Sequence, residues 1–214
     1  MARRAVKTID KDLDLSHVLK TPEQLPKPWR SEVLFGRKAP MELEIGSGKG
    51  LFLRCAADRL PEHDFLGIEI GQKYARFSAA RLFDRPQCNA IMVCGDAARI
   101  LRDWMPENFL EAVHVYFPDP WWKRAHRKRR ILRAEVLKLI EERLRPGGTL
   151  HFWTDVEEYF NSTLKLLAAQ TSLQGPNEVS EREAEHEFDY RTHFERRTRL
   201  HGEKVYRTEF YKAE

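Results

Sequence analysis

Met41-Glu-Leu-Glu-Ile-Gly-Ser-Gly-Lys-Gly50 carries an apolar strand, Met41 to Ile45, straight into a glycine-rich turn. Lys49 to Leu60 then reads as a helix, so strand, tight loop and helix follow without a gap. An open α/β sheet binds its ligand at such a junction, beyond the carboxyl end of a strand. Glycines let the backbone turn sharply and let a ligand approach the main chain. The spacing is G-x-G-x-G with Leu51 after it, so the dinucleotide pattern G-x-G-x-x-G is not met. Gly50 also stands where a P-loop needs Ser or Thr for magnesium. Taken alone, the loop can equally be a plain tight turn.

The same rhythm continues outward. Phe65 to Ile70, Ala90 to Cys94, Ala112 to Phe117 and Thr149 to Thr154 read as further strands. Between and after them Gln72 to Phe83, Ala97 to Trp104, Lys128 to Leu144 and Val156 to Ala169 read as helices. Alternation with short connections predicts an α/β fold with a mainly parallel sheet and helices on both faces. Val205 to Tyr211 alternates like an exposed antiparallel edge strand. Five parallel strands with an antiparallel C-terminal addition match the methyltransferase-type variant of the Rossmann sheet. A dehydrogenase would run on into a sixth parallel strand and a substrate domain, for which 214 residues leave no room. Residues 1–40, with Pro22, Pro26, Pro28 and Pro40, read as a basic, proline-rich arm. The domain proper is expected over 41–214.

Three carboxylates stand at strand ends: Glu44 beside Gly46 and Gly48, Glu69 after the second strand, and Asp96 after the third. A carboxylate after the second strand can accept ribose hydroxyls. One after the third can receive an adenine amino group, and one beside the glycines can pair with an ammonium. S-adenosylmethionine has these groups and no pyrophosphate to repel acids. Each acid alone could be a helix cap, and Asp96 before Ala97 makes a good one.

Phe117-Pro-Asp-Pro-Trp-Trp-Lys123 ends the fourth strand and runs into Arg124, His126, Arg127, Lys128, Arg129, Arg130 and Arg133. Asp119 sits between two prolines, each with a fixed φ. A rigid acid, two aromatic rings and a cationic run suit a site that grips a nucleotide within a polyanion. The competing reading is a strand-ending turn followed by a solvated basic helix over 123–133. Thr192-x-x-Glu195 has the form of a capping box opening a helix that Gly202 would end. Thr154-Asp155 could likewise only end a strand, Trp121 and Trp122 could be partly core, and Glu181 to Glu187 reads as a solvated acidic face.

Net charge is only +4, but the sequence pI is about 9.0 and the positive charge is clustered, which points to a polyanionic partner. Hydrophobic content of 42% supports a packed core rather than disorder. Cys55, Cys88 and Cys94 include no C-x-x-C, so neither a disulfide framework nor a structural zinc is expected. No apolar run approaches a membrane span and no signal segment opens the chain, so the expectation is a cytoplasmic protein without a membrane partner.

In order along the chain, Leu43 to Gly48, Phe65 to Glu69, Asp96-Ala97, Phe117 to Lys123 with His126 and Lys128 to Arg130, Thr154-Asp155 and Thr192 to Glu195 resemble the TrmB-type tRNA (guanine-N7)-methyltransferases. The resemblance spans roughly residues 40–211, and its most specific part is the segment from Phe117 to Trp121. One difference is Ala125 before His126, with Arg124 one position earlier than the family's arginine. The resemblance implies a Rossmann-like class I S-adenosylmethionine-dependent methyltransferase sheet. It also implies methyl transfer to N7 of the guanine at position 46 in the tRNA variable loop. By position it puts Glu44, Gly46, Gly48, Glu69, Asp96 and Asp119 at S-adenosylmethionine, with Asp119 catalytic. It puts Lys123, Asp155, Thr192, His193, Phe194 and Glu195 at the substrate, with Arg124, Arg127, Lys128, Arg129 and Arg130 on the RNA backbone. No metal and no obligatory protein subunit are expected. Two alternatives stay open: transfer to another RNA base or an exocyclic amine, suggested by the D-P-P-aromatic likeness of Asp119 to Trp122, and a catalytically silent tRNA-binding module.

Overall fold

A computed structural model describes residues 6–83 and 89–214, so Cys88 lies outside the described residues. The elements in chain order are β1 (Leu19–Lys20), α1 (Ser31–Phe35), β2 (Met41–Ile45), α2 (Leu51–Arg59), β3 (Asp64–Glu69) and α3 (Gln72–Phe83). There follow β4 (Ala90–Cys94), α4 (Ala97–Asp103), β5 (Leu110–Tyr116), α5 (Ala134–Arg143) and β6 (Leu144–Thr154). The chain closes with α6 (Glu157–Gln170), β7 (Gln174–Glu178), α7 (His193–Leu200) and β8 (Tyr206–Tyr211).

The strands form one sheet in the order β1-β4-β3-β2-β5-β6-β8-β7. Neighbours from β1 to β6 are parallel, and β8 and β7 are antiparallel additions. From β2 the chain winds outward through β3 and β4, then returns to place β5 on the other side of β2. The direction of winding therefore switches between β2 and β5, which is where such a sheet opens a crevice for ligand. The glycine turn leaves β2 and the Phe117 turn leaves β5, so both motifs meet at this crevice.

Period-2 alternation sorts the strand residues onto two faces. Met41, Leu43, Ile45, Val113, Val115 and Phe152 pack with residues of α4, α5 and α6. On the other face Phe65, Met92, Tyr116 and Trp153 pack with Phe52 and Leu53 of α2 and Ala75 and Ala79 of α3. That second face also buries a polar row. Glu42 accepts from His63 Nδ1 and His114 Nε2, each at 2.7 Å. Tyr116 donates to His114 Nδ1 at 2.9 Å, and His114 stacks on His151 at 4.5 Å with an interplanar angle of 11°. His151 in turn lies 2.9 Å from Glu209.

Three elements differ from the sequence reading. The basic segment is not one helix running from Lys128: Arg124–Arg129 is a 3-10 turn, and α5 starts only at Ala134. Like charges four apart on one helix face repel, and the chain must also turn Arg130 and Leu132 inward before α5 can begin. The strand expected at Val205 to Tyr211 is not an edge, because β7 pairs along its outer side. The segment before Met41 enters the sheet directly, since β1 pairs with β4 and Leu15, Val18 and Leu25 are buried. Among the described residues no helix is long and apolar enough to cross a membrane.

Candidate active site at the β2 and β5 strand ends

The glycine turn is pinned beneath and braced from the side. The N–H groups of Gly46 and Ser47 donate to the Ile68 carbonyl of β3 at 2.8 and 3.1 Å. Gly50 has φ of 69°, and a Cβ there would lie 1.9 Å from the Ser78 hydroxyl of α3, so only glycine lets α2 approach α3 this closely. Glu69 accepts from the N–H groups of Gly48 at 3.0 Å and Gly71 at 2.8 Å, which fixes its carboxylate plane. Asp96 caps α4, its Oδ1 accepting from Ala98 and Arg99, so Oδ2 is the oxygen not used by the cap.

Glu44 is only 3% exposed, and its Oε2 has no hydrogen-bond partner among the described residues. Burial pushes its carboxyl up to about 8; the Ser47 hydroxyl pulls it down in part, and the charge of Glu69 raises it again. A buried, orphaned carboxyl beside an open glycine turn is the arrangement that a ligand ammonium completes. A Cβ on Gly46 would meet nothing within 4 Å, so that side of the turn is open. These residues therefore fit S-adenosylmethionine.

Across the crevice, the turn around Asp119 is strained on both sides. Phe117 has φ of 49° and Trp121 of 46°, each a left-handed conformation costing about 1–3 kcal/mol in a non-glycine residue. The surrounding bonds hold it there. Phe117 N–H donates to the Trp153 carbonyl at 2.8 Å, and Arg130 Nε–H donates to the Pro120 carbonyl at 2.7 Å. Asp119 itself is exposed between these two anchors.

Arg130, expected on the RNA backbone, is 6% exposed and points inward. Its guanidinium pairs with Glu158, donates to Ser162 and lies 4.4 Å over the Tyr159 ring. The run Lys128 to Arg130 gives no sign of which cation turns in; the only signal was the apolar pair Ile131-Leu132 that follows. Lys123, Arg124, Lys128 and Arg129 are exposed, Arg129 lying 5.1 Å over Trp121, while Arg127 reaches Glu158 at 3.3 Å. Trp122 is 62% exposed, too open to be core.

The start of α7 crosses above both halves. Thr192 caps it by accepting from Glu195 N–H at 2.9 Å. Glu195 is 2% exposed, accepts from Arg191 N–H, and faces Arg199 and Arg207. His193 reaches Arg81 of α3 at 3.1 Å, and burial followed by the Arg81 charge holds its imidazole below the usual range. Phe194 meets Phe117 with ring centroids 5.0 Å apart, and Arg197 lies 4.4 Å over Phe194. Asp155, at the end of β6, is raised by burial and by Glu203 and lowered by Arg197. Phe117, Phe194 and Arg197 thus stack in a row that starts two residues before Asp119. Arg191, which the sequence did not single out, lies over Phe52 and Trp153 and anchors the entry to α7.

Residues 38–208 match a family described as putative methyltransferase. A tRNA (guanine-N(7)-)-methyltransferase of Rhodopirellula baltica is 47% identical over 213 residues, covering 97% of this chain and 79% of that protein. One of the same name from Cupriavidus necator is 37% identical, covering 80% of this chain and 66% of its own length. Among solved structures, the aminoglycoside resistance methyltransferase NpmB1 aligns with a TM-score of 0.56 at 19% identity, covering 89% of this chain and 95% of that one. Precorrin-6y C5,15-methyltransferase of Geobacter metallireducens aligns with a TM-score of 0.55 at 14% identity, covering 83% and 82%. The structural likenesses speak to the fold, a class I methyltransferase sheet.

Proposed function

The chain belongs to the tRNA (guanine-N(7)-)-methyltransferase family, and on that premise we infer that it transfers a methyl group from S-adenosylmethionine to N7 of guanine in tRNA. The target would be the guanine at position 46 of the variable loop. The observation that carries the reading is the meeting of Glu44, with its orphaned oxygen, and the doubly anchored Asp119 across one crevice. Glu44 would hold the cofactor's ammonium, Glu69 its ribose hydroxyls and Asp96 its adenine amino group.

The cofactor supplies an electrophilic methyl on a sulfonium. Guanine N7 has a free lone pair and no proton, so a general base has nothing to remove from it. What remains for the protein is alignment and charge placement. Asp119 can accept from guanine N1–H and the 2-amino group, or stabilise the cationic side of the transfer. Lys123 and the walls formed by Phe194 and Asp155 would orient the base, with Thr192 and His193 framing them. The exposed cations Arg124, Lys128 and Arg129 would meet phosphates, and Trp122 offers a face to a base.

Incubating the protein with unmodified tRNA and methyl-labelled cofactor, then mapping the labelled atom, tests the reading. Label on guanine N7 supports it, whereas label on an exocyclic amine establishes the other enzyme class. Absence of S-adenosylmethionine binding by calorimetry would leave only an RNA-binding module. The exposed strand-end acid favours the enzyme, since a binding module has no use for a strained carboxylate.

A further inference from the structure

Between the segment 127–134 and α6 lies a groove of about 480 Å³ to which the methyl-transfer reading assigns no role. Arg127, Arg133 and Lys165 stand along it, and Leu132 and Leu166 give it an apolar floor. Its carboxylate, Glu158, is already engaged by Arg130 and Arg127, at 2.5 and 3.3 Å. Lys165 is exposed and has no ion partner among the described residues. Arg133 also reaches Glu135 at 3.4 Å, so above the apolar floor Lys165 is the groove cation with no carboxylate beside it among the described residues. Its size falls within the range of small-ligand sites, about 300–1,000 Å³.

The groove also borders the transfer site. Arg130 and Tyr159 line it, and the same Arg130 holds the Pro120 carbonyl beside Asp119. The charge of Asp119 helps to raise the Tyr159 hydroxyl, after burial. A flat apolar face joined to an anionic group, next to a target guanine, describes one nucleotide of the same RNA strand.

We propose that this groove takes a nucleotide of the substrate tRNA close to the methylated guanine, its base over Leu132 and Leu166 and its phosphate at Arg133 and Lys165. The proposal rests on tRNA being the substrate, so wild-type methylation of tRNA is measured first; without it the functional reading fails, not the groove. Lys165→Ala should then weaken tRNA binding by about three- to ten-fold and flatten the slope of log K against log salt by about one. Affinity for S-adenosylmethionine and the thermal midpoint should stay unchanged, and Lys165→Arg should restore binding. Leu166→Asp should weaken tRNA binding without a comparable change in slope. Photocrosslinking of 4-thiouridine-containing tRNA should label the peptide that includes Lys165 and Leu166. Unchanged affinity and slope in Lys165→Ala overturn the proposal. A flattened slope with no effect of Leu166→Asp and no crosslink also overturns it, leaving a phosphate contact with no inserted base.

Discussion

Arg130 Nε–H donates to the Pro120 carbonyl at 2.7 Å, tying the residue after Asp119 to a guanidinium that is itself buried against Tyr159 and Glu158. The exposed acid thus inherits its position from an inward-facing cation eleven residues on. Arg130→Ala should lower stability by about 2 kcal/mol, because Glu158 is partly solvated and forgives part of the loss. It should reduce saturated turnover at least ten-fold while leaving S-adenosylmethionine affinity unchanged. Equal losses in cofactor binding would place Arg130's influence on the glycine side instead.

Asp119→Ala should abolish methyl transfer with little change in the unfolding midpoint, since the side chain is exposed. Near-normal turnover in this variant would remove the proposed site altogether. Asp119→Asn keeps an acceptor without charge; if it retains most activity, the carboxylate orients guanine rather than stabilising positive charge.

Glu44, pushed up to about 8, holds a proton at neutral pH until a cation arrives. Cofactor binding should therefore release a proton, and affinity should strengthen as pH rises toward about 8. Calorimetry in two buffers of different ionisation enthalpy reads the proton directly. Glu44→Gln should abolish the release and weaken binding by about 1.5–3 kcal/mol. An affinity independent of pH in the wild type would refute the pairing of Glu44 with the ammonium.

His114 sits at about 4, lowered first by burial and then by the charge of His151, against the hydrogen bond it donates to Glu42. An unfolded histidine takes up its proton near 6.5 and the folded one does not. The contribution to stability is thus full above 6.5 and lost as pH falls toward 4. Glu44 works in the opposite direction, its folded form losing ground as pH rises from 4.5 to about 8. The difference between wild type and His114→Phe in denaturant midpoint isolates the histidine: it should shrink steadily from pH 7 to pH 5. A constant difference would mean that His114 titrates normally.

Neutralising Lys123, Arg124 or Lys128 should weaken different tRNAs about equally and flatten the salt slope by about one unit per lost phosphate contact. Lys123→Ala should also reduce saturated turnover, because Lys123 adjoins the Asp119 turn. If its saturated turnover is normal, it is a phosphate anchor only.

The strands from β2 to β5, the glycine turn and the acids at 44, 69, 96 and 119 were legible because each couples a periodic apolar run to a turn signal. Gln72–Phe83 and Ala90–Cys94 match the expected boundaries to the residue. β7 was not legible: Gln174-Gly-Pro-Asn-Glu178 has no apolar alternation and is exposed along its length, so only its partner β8 makes it a strand. The basic segment misled because charge count says nothing about direction. Arg130 is distinguished from Arg129 by what lies beneath it, the Tyr159 ring, which comes from an element 29 residues on. Glu195 has one partner on its own helix, Arg199 four residues on, and one, Arg207, that only the tertiary fold supplies.

The two borders of the sheet bear on how the protein behaves when crowded. β1 is only two residues long, and β7 carries Pro176, which has no N–H to offer, within a strand of wholly polar or small residues. Neither border presents a long apolar ladder on which another chain could grow. Such borders guard a chain against fibrous self-association.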